Sequence, residues 1–113
     1  MGRRARQREK APASEYVDAE GNALRLRGSM TAGSRRKYDS ILKGGLDRED
    51  AWQRAAEFLF ERLAVSWTIA GLELTRQKEL LGRYRLASSD ERRFVRETLR
   101  QHLTEHFPEM EGP

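Results

Sequence analysis

The chain has 113 residues, no cysteine, and a formal net charge of +4. That length suits one small domain and excludes a multidomain machine, and the lack of cysteine excludes a disulfide framework and thiolate metal sites. The longest uncharged run, 63–72, is far short of the about 20 apolar residues that a membrane-spanning helix needs, and no apolar segment follows the basic N-terminus to suggest a secretory signal. These features predict a cytoplasmic protein with no membrane association.

The charge is unevenly placed. Residues 1–10 hold Arg3, Arg4, Arg6, Arg8 and Lys10 against Glu9, a sum of +4, so the remaining 103 residues sum to zero. Residues 1–14 lack large apolar side chains beyond Met1 and cannot offset the entropy of ordering. They are expected to form a disordered basic arm, able to solubilise the chain or to meet nucleic acid. No aromatic residue is interleaved there to stack on bases.

Residues 15–27 read as a β-hairpin. Tyr16 and Val17 favour strand, Glu20-Gly21-Asn22 supplies a turn, and Leu24 and Leu26 alternate with Arg25 and Arg27. After a connector at 28–33, Ser34 or Thr31 can cap a helix to about residue 43, with Tyr38, Ile41 and Leu42 on one stripe. Gly44-Gly45 is expected to end it in a left-handed conformation. Asp47 caps the strongest predicted element, a helix over about 47–67. Trp52, Ala55, Ala56, Leu59, Leu63 and Trp67 fall on one face, widened by Phe58, Phe60 and Val65. A loop at 68–74 leads to a helix capped by Thr75 and running to about residue 85. Ser88-Ser89-Asp90-Glu91 matches a capping box that opens the last helix, to about residue 106. Pro108 ends it, and 108–113 are expected to fray. The predicted fold is therefore mainly α: about four helices around a long central helix, with a small N-terminal β-hairpin, over 15–107.

Catalytic and metal patterns are weak. His102, Glu105 and His106 spell the His-x-x-Glu-His of inverted zinc peptidases, but only seven residues follow and no third ligand is in sight. Both histidines share a stripe with Val95 and Leu99, which predicts neutral imidazoles at the edge of the packed face. There is no phosphate-binding glycine loop and no nucleophile elbow, so no enzyme activity, cofactor or metal is expected. Arg93, Arg96 and Arg100 form a basic stripe on the last helix, available to phosphates or an acidic partner.

Two segments resemble the small tail proteins of tailed bacteriophages, tail assembly chaperones in particular. They are Ala23-Leu-Arg-Leu-Arg-Gly-Ser-Met-Thr-Ala-Gly-Ser-Arg-Arg-Lys-Tyr38, a strand and threonine-bearing connector into a helix, and Leu63-Ala-Val-Ser-Trp-Thr-Ile-Ala-Gly71, a helix exit. The resemblance spans roughly 16–106 and leaves the basic arm unaccounted for. It implies a non-catalytic helical interaction module that binds a tape-measure or tail-tube protein through exposed apolar surface. The candidate contact residues are Trp67, Phe94 and Phe107, and exposed aromatics there would also favour homo-oligomers. The alternative is a small nucleic-acid-binding protein using the basic arm with Arg93, Arg96 and Arg100.

Overall fold

The computed structural model describes residues 12–44, 47–110 and 112. Strands β1 (Ser14–Val17) and β2 (Ala23–Leu26) are followed by helices α1 (Ala32–Lys43) and α2 (Arg48–Leu63). Strands β3 (Ala64–Ile69) and β4 (Leu72–Leu74) come next, then helices α3 (Gln77–Arg85) and α4 (Ser89–His106). The strands form one antiparallel sheet in the order β1-β2-β3-β4, with the α1–α2 pair inserted between its two middle strands. The protein is therefore α+β, which corrects the expectation of a mainly α fold around a long central helix. The hairpin at the N-terminus is half of the sheet.

The error lies at Leu63. The α2 helix stops there, and Ala64 is already extended, with φ −68° and ψ 125°. Residues 64–69, Ala-Val-Ser-Trp-Thr-Ile, hold three β-branched side chains and a tryptophan, all good strand formers. A short apolar run of this kind fits a helix or a strand by periodicity alone. Pairing decides it: β2 supplies an antiparallel neighbour with Leu24 opposite Trp67, and the Arg27 N–H donates to the Leu63 carbonyl at 2.8 Å. One of the carbonyls left over at the end of α2 thereby finds a partner in the sheet.

The stretch expected as a loop at 68–74 is a two-residue hairpin. Ile69 pairs with Leu72, and Ala70 and Gly71 both have positive φ, 50° and 82°. Two successive positive φ values make the turn whose twist suits a hairpin, normally Asn-Gly or Gly-Gly. Ala70 is held there by Asn22 of the first turn, whose Oδ1 accepts the Ala70 N–H at 3.0 Å. Asn22 is itself tied to Asp18, which accepts from both its backbone and side-chain amides. Because an alanine is strained at positive φ and asparagine tolerates it, Ala70→Asn should stabilise the fold by up to about 1 kcal/mol, measured as a rise in the urea midpoint.

Caps govern the helix ends. Thr31, the earlier of the two candidates, caps α1 by accepting the Ser34 N–H at 3.0 Å. Gly44 ends α1 with φ −94°, not in the expected left-handed conformation. Its glycine is needed because a Cβ would stand 2.9 Å from the Ser40 carbonyl oxygen. Gly45 lies outside the described residues. Thr75 is not a cap: α3 starts after Arg76, which makes no capping hydrogen bond. Ser88 and Glu91 form the reciprocal capping box of α4. Glu91 also takes both ends of the Arg83 guanidinium, at 3.0 and 2.7 Å, and this bond above all holds its carboxyl below the usual range.

One face of the sheet is packed. Leu24 and Leu26 are fully buried while Arg25 between them is exposed. Trp67 meets Phe60 edge-on at 5.5 Å, and Phe60 stacks on Tyr84 at 4.9 Å. Leu59 and Leu63 of α2 and Val95, Leu99 and Leu103 of α4 complete the core. Trp52, expected on the packed face of α2, is only half-buried, with the Arg48 guanidinium 5.8 Å from its ring.

Candidate functional site

The three aromatic contact candidates separate in the structure. Trp67 and Phe107 are each 1% exposed and belong to the core. Trp67 points inward from β3, with the Arg83 guanidinium 5.6 Å over its ring. Phe107 caps the end of α4, its N–H donating to the Leu103 carbonyl at 2.8 Å, and lies under Arg35 of α1 at 5.2 Å. Neither ring offers a surface to a partner, which corrects that expectation. Phe94 is half-buried against the core. Among the described residues the large apolar side chains left exposed are Val17, Leu72 and Leu86; they lie singly on β1, β4 and the α3–α4 turn.

The arginine stripe is brought together. Ser89, Arg92, Arg93, Arg96, Glu97 and Arg100 line an open groove of about 440 Å³ along α4. At 1.5 Å rise per residue, Arg92, Arg96 and Arg100 recur about once per turn, with Arg93 beside the first. Arg92 was not among the residues singled out from the sequence, although its i, i+4, i+8 relation to Arg96 and Arg100 was there to be read.

Each guanidinium is tethered differently. Arg92 donates to the Arg85 carbonyl at 2.8 Å and lies 5.4 Å over the Tyr84 ring, which ties the end of α3 to the start of α4. Arg93 pairs with Asp90 at 3.2 Å on the exposed side. Arg96 reaches Glu49, in the first turn of α2, at the long distance of 3.5 Å, and its buried Nε has no hydrogen-bond partner among the described residues. The other cationic candidates, Arg3, Arg4, Arg6, Arg8 and Lys10, lie outside the described residues. So does all of the expected arm at 1–14 except 12–14, and Ser14 belongs to β1.

A second polar cluster joins β1 to the end of α4. His102 is fully buried. Its Nε2 lies 2.8 Å from the Arg27 carbonyl oxygen, which can only accept, so Nε2 carries the proton. Its Nδ1 then accepts from the Tyr16 hydroxyl at 2.8 Å. Glu105 stands 3.3 Å from the same hydroxyl, and the Ser14 hydroxyl meets His106 Nε2 at 3.1 Å. Burial pushes the His102 pKa down, opposed by the Arg27 carbonyl and the Glu105 charge and assisted by His106. Burial and then Glu105 push the Tyr16 phenol up. Both nitrogens of His102 are satisfied inside the fold, so the ring acts as a clasp between strand and helix. Among the described residues no group of three or more His, Asp or Glu side chains is placed to hold a metal ion.

Among the described residues no helix is long and apolar enough to cross a membrane. No family model, no curated protein and no solved structure matches the chain.

Proposed function

We propose that the protein is a non-catalytic interaction module whose working face is the arginine-lined groove of α4, and that it binds a protein partner as a cytoplasmic accessory of the tail-assembly-chaperone kind resembled by residues 16–106. The observation that carries this reading is the concentration of four arginines in one groove on a body whose charge outside residues 1–10 sums to zero. A nucleic-acid binder of this size ordinarily presents a broad positive field that steers the polymer in. A neutral body with one charged groove suits a local, oriented contact, for which complementary charge supplies register and specificity. The adhesive surface is thus charged, where the resemblance implies an apolar one bearing Trp67 and Phe107. Self-association through exposed aromatics loses two of the three rings it relied on, Trp67 and Phe107.

The alternative of nucleic-acid binding uses the same groove together with the basic arm, so salt sensitivity alone does not separate the two. Removing the arm does. Co-purification from the cells that make the protein should retain the partner with residues 1–11 deleted and lose it with R93E. Arg93 is chosen because its ion pair with Asp90 stays within the first turn of α4, whereas Arg92 and Arg96 also hold helices together. Loss of the bound species on deleting the arm, with nuclease releasing it from the intact chain, would instead favour nucleic acid.

A further inference from the structure

We infer that the His102 cluster makes β1 an acid-released strand: at neutral pH Tyr16 latches it to the end of α4, and a proton taken up by the imidazole frees it while the rest of the sheet stays paired. None of these residues lines the arginine groove. The neutral ring has one N–H and one lone pair, and both are engaged. Nε2–H donates to the Arg27 carbonyl and Nδ1 accepts from the Tyr16 hydroxyl, each at 2.8 Å. A second proton lands on Nδ1 and sets two donors against each other. The Tyr16 hydroxyl must then turn towards Glu105 Oε1, 3.3 Å away in a longer bond at an exposed edge. That turn restores a hydrogen bond to Nδ1 but leaves the positive charge in a ring with 0% exposure, out of reach of water.

The charged and titratable groups facing the ring are Tyr16 from β1 and Glu105 and His106 from α4. Arg27 turns its carbonyl to the ring and its guanidinium to the Arg62 carbonyl. Arg35 of α1 lies over the neighbouring Phe107 and is paired with Glu109. Glu105 favours the imidazolium, while burial and a charged His106, whose ring centroid is 4.5 Å away, oppose it; burial is the largest influence, so the native pKa is lowered.

The element that yields is the one held least. α4 buries Val95, Leu99 and Leu103 in the core, and β2 buries Leu24 and Leu26 and is paired on its other side with β3. β1 is an edge strand of four residues, none fully buried, tied to α4 by Tyr16 and by the Ser14 hydroxyl at His106. The turn after it is anchored separately: Asp18 accepts from the Glu20 and Asn22 amides, and Asn22 accepts from Ala70. β1 therefore swings from that turn. Its departure admits water to the imidazolium and bares the outer edge of β2 as unpaired backbone.

Native-state hydrogen exchange of the full chain, followed by NMR between pH 7.5 and 5 with the intrinsic rate divided out, tests this. Amides shared by β1 and β2 should open far more readily than the Arg27 amide, which is bonded to Leu63 and reports wider unfolding. Their opening should increase up to about tenfold per pH unit below about pH 6.5, because one proton is taken up on opening. Fraying of the β3–β4 ladder, remote from the ring, should show no such rise. H102Q keeps a donor and an acceptor without titrating and should abolish the slope; if it does not fold, the wild-type profile decides alone. A flat β1–β2 profile, or one that coincides with the Arg27 amide at every pH, overturns the release. So does a His102 ring that titrates at or above about pH 6.5 with β1 still protected, since the turn of Tyr16 towards Glu105 would then have absorbed the charge.

Discussion

Replacing Trp67 by alanine should destabilise the protein by about 3–5 kcal/mol, the range for emptying a large buried aromatic site. A domain of this size commonly has only about 5–15 kcal/mol in total, so a large part of the chain should be unfolded at modest urea concentrations. The ring is 1% exposed, packs edge-on against Phe60, and is covered by Arg83, itself held by Glu91. Its backbone pairs with Leu24 on one side and Leu74 on the other. The loss therefore opens a cavity where the sheet meets α2 and α3. Trp67→Phe should cost less, about 1–2 kcal/mol, because the indole Nε1 is buried without a hydrogen-bond partner among the described residues and its removal ends a desolvation penalty. Urea unfolding followed by circular dichroism measures both. A change within about 0.5 kcal/mol for Trp67→Ala, the usual effect at an exposed site, would place the ring at the surface and contradict the strand.

The second large effect is at His102. Folding places this imidazole where protonation is disfavoured, so its pKa in the native state lies below the unfolded value of about 6.5. The unfolded chain then binds the proton more readily, and stability must rise with pH through this window. The contribution is complete above about pH 6.5 and is lost progressively as the pH falls towards and through the lowered native pKa. The groups facing the ring are Tyr16 from β1, the Arg27 carbonyl after β2, and Glu105, His106 and Phe107 at the end of α4. Of these, the Glu105 carboxylate moderates the fall and His106, once charged, steepens it. His102→Leu should cost about 2–3 kcal/mol at neutral pH, because the Arg27 carbonyl and the Tyr16 hydroxyl lose their partner. It should also flatten the decline in stability between about pH 7 and pH 5. Parallel stability–pH curves for wild type and His102→Leu would show that the clasp does not titrate as argued. The consequence for the architecture is local: β1 is an edge strand, and its side chains reach α4 through Tyr16 and Ser14.

Several parts of the fold are legible from local chemistry. The Ser88–Glu91 capping box announces α4 because both orphan amides have their acceptors within four residues. The Leu24–Leu26 alternation announces β2, and the Arg93, Arg96, Arg100 spacing announces the basic face of α4. Residues 64–74 are not legible in the same way. Val65, Trp67 and Ile69 alternate as a strand requires, yet Trp67 also continues the apolar stripe of Leu59 and Leu63, and Ala70-Gly71 lacks the asparagine that ordinarily marks such a turn.

What the sequence determined by itself was a set of interactions closed within a turn or two of the chain: the N-caps at Asp47 and Ser88, the first hairpin, and the side chains sharing one helical face. What only the tertiary structure decided was the state of Ala64–Ile69, the burial of Trp67 and Phe107, and the two-sided hydrogen bonding of His102. Each depends on a partner far along the chain: Leu24 for Trp67, Arg35 for Phe107, and Tyr16 and Arg27 for His102. A local pattern states which conformations a segment can adopt at low cost, and distant pairing selects among them, because the free energy gained there exceeds the small difference in intrinsic propensity.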